Sequence, residues 1–163
     1  MRLIAEGLAG ERRGETLFTG IGFDLGAGDA LLVTGPNGSG KSTLLRILAG
    51  LLPASAGTAA LRDGGEEWPT IASASHMLGH GNAMKSSLSL AENLDFWRAF
   101  LGSPARTVEE ALDMVGLDGL GHLPFAVLST GQKRRSALAR LLVSHRPVWL
   151  LDEPANGLDT GSV

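Results

Sequence analysis

An α/β fold is predicted by three features of this chain. "GDALLVTG", Gly28 to Gly35, is a short apolar run bounded by glycines, the pattern of a strand buried on both faces. "STLLRILAGLL", which starts at Ser42, places Leu44, Leu45, Ile47, Leu48 and Leu51 on one broad helical stripe, with Gly50 as a stop. A second apolar run, Val148 to Leu151 in "PVWLLDEPANGLD", reads as another buried strand and ends in two adjacent acids, Asp152 and Glu153.

The first strand is joined to the helix by "TGPNGSGKST", Thr34 to Thr43, with glycine at three of ten positions. Glycine lets a backbone approach a ligand closely, at a cost in chain entropy that a merely structural loop seldom accepts repeatedly. Gly35, Gly40, Lys41 and Ser42 fit G-x-x-x-x-G-K-[ST], in the strand-to-helix context that this phosphate loop requires. Backbone N–H groups from Asn37 to Thr43 can point at phosphate oxygens, the positive end of the helix favours the same anion, and Lys41 adds a full charge. The Ser42 hydroxyl suits Mg²⁺, which prefers oxygen ligands. At average residue usage the four specified positions match by chance in roughly one such chain in a few hundred, so a flexible glycine turn is the lesser reading.

The acid pair tests that reading independently. In an open parallel sheet the carboxyl end of a strand lies on the edge that carries the phosphate loop, where one acid can order Mg²⁺ while the next activates a water. Solvated surface acids are the bland alternative, and an acid pair capping a wholly apolar strand is unusual on a solvated face. "VLSTGQKRRSALARLLVSHRP" supplies a second helix start, in which Ser129-Thr130-Gly131-Gln132 precede a stripe of Leu138, Leu141 and Leu142. Ser, Gly and exposed N–H groups there make another anion site. Lys133, Arg134, Arg135 and Arg140 read as an ordinary solvated helix face.

Composition sets the outer limits. With 163 residues, 44% hydrophobic side chains and a formal net charge of -3, the chain suits a single globular domain with a real core. No apolar run approaches the roughly 18 to 20 residues of a membrane span, Met1 opens no signal pattern, and there is no cysteine. A cytoplasmic protein is the default, and the mild negative charge argues against an electrostatically driven nucleic-acid binder. Residues 1 to about 75 read as a β-rich part plus the loop core, with strand-like positions separated by turn glycines in "EGLAGERRGETLFTGIGFDLGAGD" and one more short strand at Gly57 to Leu61. "LAENLDFWRAFLG" and "TVEEALDMVGL" read as two short amphipathic helices broken at Gly102-Ser103-Pro104, with Phe96, Trp97 and Phe100 as core bulk.

Gly35-Pro36-Asn37-Gly38-Ser39-Gly40-Lys41-Ser42, then Leu128-Ser129-Thr130-Gly131-Gln132, then Val148 to Pro154, then Gly157-Leu158-Asp159 resemble the Walker A, signature, Walker B and D-loop motifs of ATP-binding cassette (ABC) proteins. The match is in order and spans nearly the whole chain. The resemblance implies an α/β P-loop NTPase core with a parallel sheet, an N-terminal antiparallel β part and an inserted helical subdomain. It divides a single ATPase domain over 1–163 into a β part and P-loop core (1–82), a helical subdomain (83–128), and a signature helix, Walker B strand and D-loop (129–163). It also implies that Gly35, Pro36, Asn37, Gly38, Ser39, Gly40, Lys41, Ser42 and Thr43 hold ATP, that Ser42 and Asp152 hold Mg²⁺, and that Glu153 is the catalytic base. Ser129, Gly131 and Gln132 would serve the ATP of a second ATP-binding subunit in a head-to-tail dimer, with Asp159 at the dimer seam.

More narrowly, "MLGHGNAMKSSLSLAENLDFW", "LSTGQKRRSALARLL" and "RPVWLLDEPANGLD" are similar to the ATP-binding subunits of haem exporters of cytochrome c maturation. That implies a peripheral subunit on the cytoplasmic face of the bacterial inner membrane, beside integral membrane permease subunits that its helical subdomain touches. A cassette ATPase of soluble pathways, linked to the ribosome or to DNA repair, is the alternative, and single-cassette length without a basic extension favours the transporter. A nucleotide-binding fragment without turnover is the remaining reading.

The chain departs from the family pattern at three places. The family's glutamine beyond the strand that leads to the helical region falls within "GHGNAMK", where Gly81 or Asn82 stands at the approximate position; Gln132 is the only glutamine. His76 and His80 nearby have a helical ligand spacing, but on a strand they lie roughly 13 Å apart and cannot share a metal. The aromatic that stacks on adenine is missing near Glu11-Arg12-Arg13-Gly14, where the Arg12 guanidinium offers a planar face, with an ordinary surface arginine as the equal alternative. The sequence ends at Val163, ahead of the family's next helix and strand, so the chain reads as part of a longer product. On that reading the strand ending at Thr34 and the strand ending near Leu151 flank an unfilled slot, roughly 9 to 10 Å apart and with no ladder between them.

Overall fold

The structure is a computed structural model that describes residues 1–156; Asp159 lies outside the described residues. The chain forms two units, one of Met1–Met77 with Pro147–Asp152, the other of Leu78–Arg146 with residues 153–156.

In the first unit β1 (Arg2–Arg12) and β2 (Glu15–Gly26) form an antiparallel hairpin that pairs Arg2 with Gly26 and Arg12 with Glu15. Its two-residue turn, Arg13 at φ 54° and Gly14 at φ 82°, has the doubly positive φ whose twist matches the flanking strands. β3 (Ala56–Arg62) pairs antiparallel with the other edge of β1, giving the order β2-β1-β3. Leu3 and Ala5 share one face by alternation, but Leu8 is out of phase with them. A bulge between Ala5 and Leu8 restores the face, and all three side chains are buried.

α1 (Lys41–Leu48) lays Leu44, Ile47 and Leu48 into this core. It stops before Leu51, which is exposed, because Gly50 takes a left-handed φ of 72°. α2 (Ile71–Ala74) leads into β4 (Ser75–Leu78), which pairs with β5 (Val148–Leu151) in a separate parallel sheet; Leu150 of β5 joins the same core.

The expected strand at Gly28 to Gly35 does not form. Residues 29–36 have no regular structure, and Leu31 and Leu32 are 45% and 84% exposed rather than buried. A strand is held by its ladder, and among the described residues β5 has β4 as its neighbour and no ladder to Leu31–Thr34. Without paired neighbours on both sides, an apolar run has no sheet interior to occupy.

The second unit contains α3 (Leu90–Leu101), α4 (Val108–Met114), a 3₁₀ turn (Phe125–Val127) and α5 (Thr130–Leu142). Each α-helix opens on a capping box, Ser89 with Glu92, Thr107 with Glu110, and Ser129 with Gln132, so two orphan N–H groups are satisfied at each start. Their core gathers Leu90, Leu94, Ala111, Leu112, Phe125, Leu128, Ala139 and Val143.

Two expectations fail here. Trp97 packs against the core, in phase with Leu90 and Leu94, but Phe96 and Phe100 are 54% and 69% exposed. They lie one turn apart on another face of α3 and stack on each other, with ring centroids 5.7 Å apart. The basic residues of α5 are not a solvated face either, since Arg134 and Arg140 are buried. Arg140 lies over the Trp97 ring, 4.9 Å from its centroid, and its burial lowers its pKa from the ordinary arginine value.

The Glu92 cap generates a prediction. Hydrogen bonds from the Ser89 backbone and hydroxyl hold the Glu92 carboxyl below its ordinary pKa. A depressed folded pKa stabilises the folded state above the unfolded-state pKa, and that stabilisation is lost as pH falls through the folded value. Glu92→Ala therefore lowers the melting temperature at pH 7, and the difference from wild type shrinks in melts carried below the ordinary glutamate range.

Candidate functional site

α1 differs from the other four α-helices among the described residues in how it begins. Each of the others has a Ser or Thr capping box, whereas the N-cap of α1 is Gly40, with no side-chain cap and no acid in the first turn. Its first N–H groups are left for an external acceptor, at the end of the helix where the dipole favours an anion. Gly40 has a φ of 95°, and a Cβ there would come within 2.9 Å of the Phe18 ring and 3.0 Å of Leu17. Only glycine lets the loop rest on β2 and still turn into the helix.

Lys41 is at the mouth of this loop, where its Nζ donates to the carbonyls of Gly35 at 2.8 Å and Pro36 at 2.9 Å. The ammonium is thereby curled over the backbone that the loop wraps. Ser42 is partly exposed beside it. Asp152 directly follows β5 in the same unit and is 4% exposed. A serine hydroxyl and a carboxylate are oxygen donors of the kind that a hard divalent cation takes, so these residues fit Mg²⁺.

In the second unit Glu153 has a φ of 47°, a left-handed conformation that costs a side-chain-bearing residue about 1 to 2 kcal/mol. Buried Arg134 holds it there. Its Nη2 donates to the Glu153 carbonyl at 2.6 Å, its Nε to the Pro154 carbonyl at 3.1 Å and its Nη1 to the Gly79 carbonyl at 2.8 Å. Charge-assisted hydrogen bonds contribute about 1.5 to 3 kcal/mol each, so the fork outweighs the strain. The carboxylate receives a hydrogen bond from Asn156 Nδ2 at 3.1 Å and faces His80, whose Nε2 is 3.8 Å away.

At the start of α5, Ser129 Oγ accepts from the Gln132 N–H at 3.2 Å, and Gln132 Oε1 accepts from the Ser129 N–H at 2.8 Å. The two side chains close this helix start on themselves, with Gly131 between them. His76 is on β4, buried, with its ring edge-on to Trp149 at 6.0 Å, while His80 lies beyond the end of that strand. Arg12 ends β1 and is exposed. Among the described residues no group of three or more His, Cys, Asp or Glu side chains could hold a metal ion, and no helix is long and apolar enough to cross a membrane.

Sequence reasoning missed Arg134 and His80 as parts of this arrangement. A signal for Arg134 was present, since it shares the spacing of Leu138 and Leu141 and so belongs on the inward face. None marked His80, because its partner is 73 positions away in the chain.

An uncapped helix start inside a glycine loop leaves room for a phosphate, which places the protein in the phosphate-loop class of nucleotide-binding α/β proteins. Within that class the chain belongs to the ABC transporter family, whose sequence pattern matches residues 18–156, and it is an ATPase of that family. It is 67% identical to the cytochrome c biogenesis ATP-binding export protein CcmA of Mesorhizobium japonicum, over 99% of this chain and 81% of the relative. The protein of the same name from Chelativorans is 62% identical, over 99% of this chain and 80% of the relative. An ABC transporter ATP-binding protein from Pyrococcus furiosus shares the fold at a TM-score of 0.87 and 23% identity, over 99% of this chain and 80% of that one. The structure of cbiO1 from Clostridium perfringens, part of the ABC transporter complex cbiONQ, aligns at a TM-score of 0.79 and 28% identity, over 98% of this chain and 68% of that one.

The Arg134 fork predicts an asymmetry along α5. Arg134→Met keeps the aliphatic stem but removes the three hydrogen bonds that the buried guanidinium gives to carbonyls, and lowers unfolding stability by roughly 3 kcal/mol. Arg135→Met removes hydrogen bonds to the carbonyls of Val115 and Gly116 from a less buried side chain and costs about 1 kcal/mol or less. Urea titrations of the two variants check the order.

Proposed function

We propose that this chain is the ATP-binding and ATP-hydrolysing subunit of an ABC exporter that serves cytochrome c biogenesis, with haem as the exported group. Likeness to the export proteins of that pathway across 99% of the chain supports the pathway. The nucleotide chemistry rests on one observation above the others, the uncapped start of α1 with the Lys41 ammonium held at the loop mouth. The subunit works as a peripheral protein on the cytoplasmic face of the inner membrane, beside integral membrane permease subunits.

Gly35, Pro36, Asn37, Gly38, Ser39, Gly40, Lys41, Ser42 and Thr43 surround the β- and γ-phosphates, with phosphate oxygens taking over from the Gly35 and Pro36 carbonyls as acceptors for Lys41. The Ser42 hydroxyl and the Asp152 carboxylate hold Mg²⁺, which when bound neutralises charge on the phosphates. Glu153 takes the proton from the attacking water, and the Arg134 fork keeps its backbone in the required conformation. Ser129, Gly131 and Gln132 serve the ATP of a second subunit in a head-to-tail dimer, for which Ser129 and Gln132 turn from each other toward the ligand; Asp159 lies at the seam.

Two outcomes test this reading. Lys41→Ala removes the one full positive charge from a loop otherwise made of N–H dipoles, so the Kd for Mg-ATP rises roughly tenfold or more, equivalent to about 1.4 kcal/mol, in a binding titration. Glu153→Gln keeps the shape but cannot accept a proton, so it retains ATP while phosphate release slows by about a hundredfold or more. Equal ATP affinity for wild type and Lys41→Ala would remove the loop from the site, and unchanged phosphate release by Glu153→Gln would reassign the base.

A further inference from the structure

We infer that His80 positions the Glu153 carboxylate for its attack on the water's proton, an assignment that rests on Glu153 being the base. The imidazole Nε2 is 3.8 Å from Glu153 Oε2, one small rotation short of a hydrogen bond. The same oxygen receives the Asn156 amide at 3.1 Å, so the carboxylate is bracketed by two nitrogen-bearing side chains.

The approach of His80 is built by the backbone. One guanidinium, that of Arg134, donates to the carbonyl of Gly79, the residue before His80, and to the carbonyl of Glu153 itself. It ties together two segments 74 positions apart, and the imidazole and carboxylate project from adjacent points of that tie. Arg134 commits these donors to carbonyls, which leaves His80 and Asn156 to orient the acid's side chain.

The pair is not a structural staple. The side chains are 60% and 46% exposed, and an ion pair so open to solvent contributes little to folding. An exposed imidazole aimed at a carboxylate on a strained residue is therefore better explained by the work of the site than by stability.

The experiment measures ATP affinity and steady-state phosphate release by the full-length protein assembled with its partner subunits, for His80→Ala, His80→Gln, Glu153→Gln and the double variant His80→Ala/Glu153→Gln. His80→Ala should lower kcat roughly tenfold with the Kd for Mg-ATP changed less than about twofold, the signature of an interaction made in the transition state. His80→Gln, which returns an N–H donor at similar reach, should recover most of the loss. In the Glu153→Gln background His80→Ala should have no further effect, because residues that act as a unit are not additive. Wild-type kcat in His80→Ala overturns the assignment, as does a loss of kcat in the double variant that multiplies the two single losses. Wild-type turnover in Glu153→Gln overturns the base and His80 together, whereas a slow Glu153→Gln beside a wild-type His80→Ala overturns His80 alone.

Discussion

The buried guanidinium of Arg134 is the constraint on which the second unit's chemistry depends. A charge this far from water is tolerated only where hydrogen bonds replace its hydration, and Arg134 finds them in the carbonyls of Gly79, Glu153 and Pro154. Those carbonyls are satisfied in return, so the backbone beyond β5 leaves regular structure with a partner for each of these acceptors. The left-handed Glu153 follows from this arrangement. A residue held in such a conformation needs fixed partners, and a planar fork supplies them better than a flexible ammonium.

The helix starts divide along a complementary line. α3, α4 and α5 close their first N–H groups with their own side chains, which stabilises each start. α1 forgoes that contribution. Its glycine start leaves donors open and lets the loop lie against Phe18 and Leu17, where a Cβ would clash. The start of α5 is closed in the same way as those of α3 and α4, since Ser129 and Gln132 cap each other across Gly131.

The phosphate loop is legible in the sequence because its spacing is its chemistry: Gly40, Lys41 and Ser42 are neighbours in the chain and in space. The same holds for the N-terminal hairpin, whose turn at Arg13-Gly14 is local, and for the starts of α3 and α4, where Ser89 and Thr107 find their partners three residues on. Three expectations failed for one common reason, that composition does not name a partner. The apolar run Gly28 to Gly35 has strand composition but no ladder. Phe96 and Phe100 have core composition but sit on an outward face. Arg134 and Arg140 have surface composition but are buried, the first with its donors on carbonyls and the second packed over the Trp97 ring.

By itself, then, the sequence determined the elements whose partners lie within a few residues: the glycine loop, the caps and the turn of the hairpin. These rest on backbone preferences and on hydrogen bonds closed over three or four positions, which any conformation of the surrounding chain leaves intact. Only the tertiary structure decided which apolar run found a sheet neighbour, which aromatic faced inward, and which cation met which carbonyl. Arg134 reaches Gly79 across 55 positions and Glu153 across 19, and His80 faces Glu153 from a strand end that Arg134 itself secures. Such contacts are set by the packing of whole elements, whose free energy is spread over many residues and written in no single stretch of the chain.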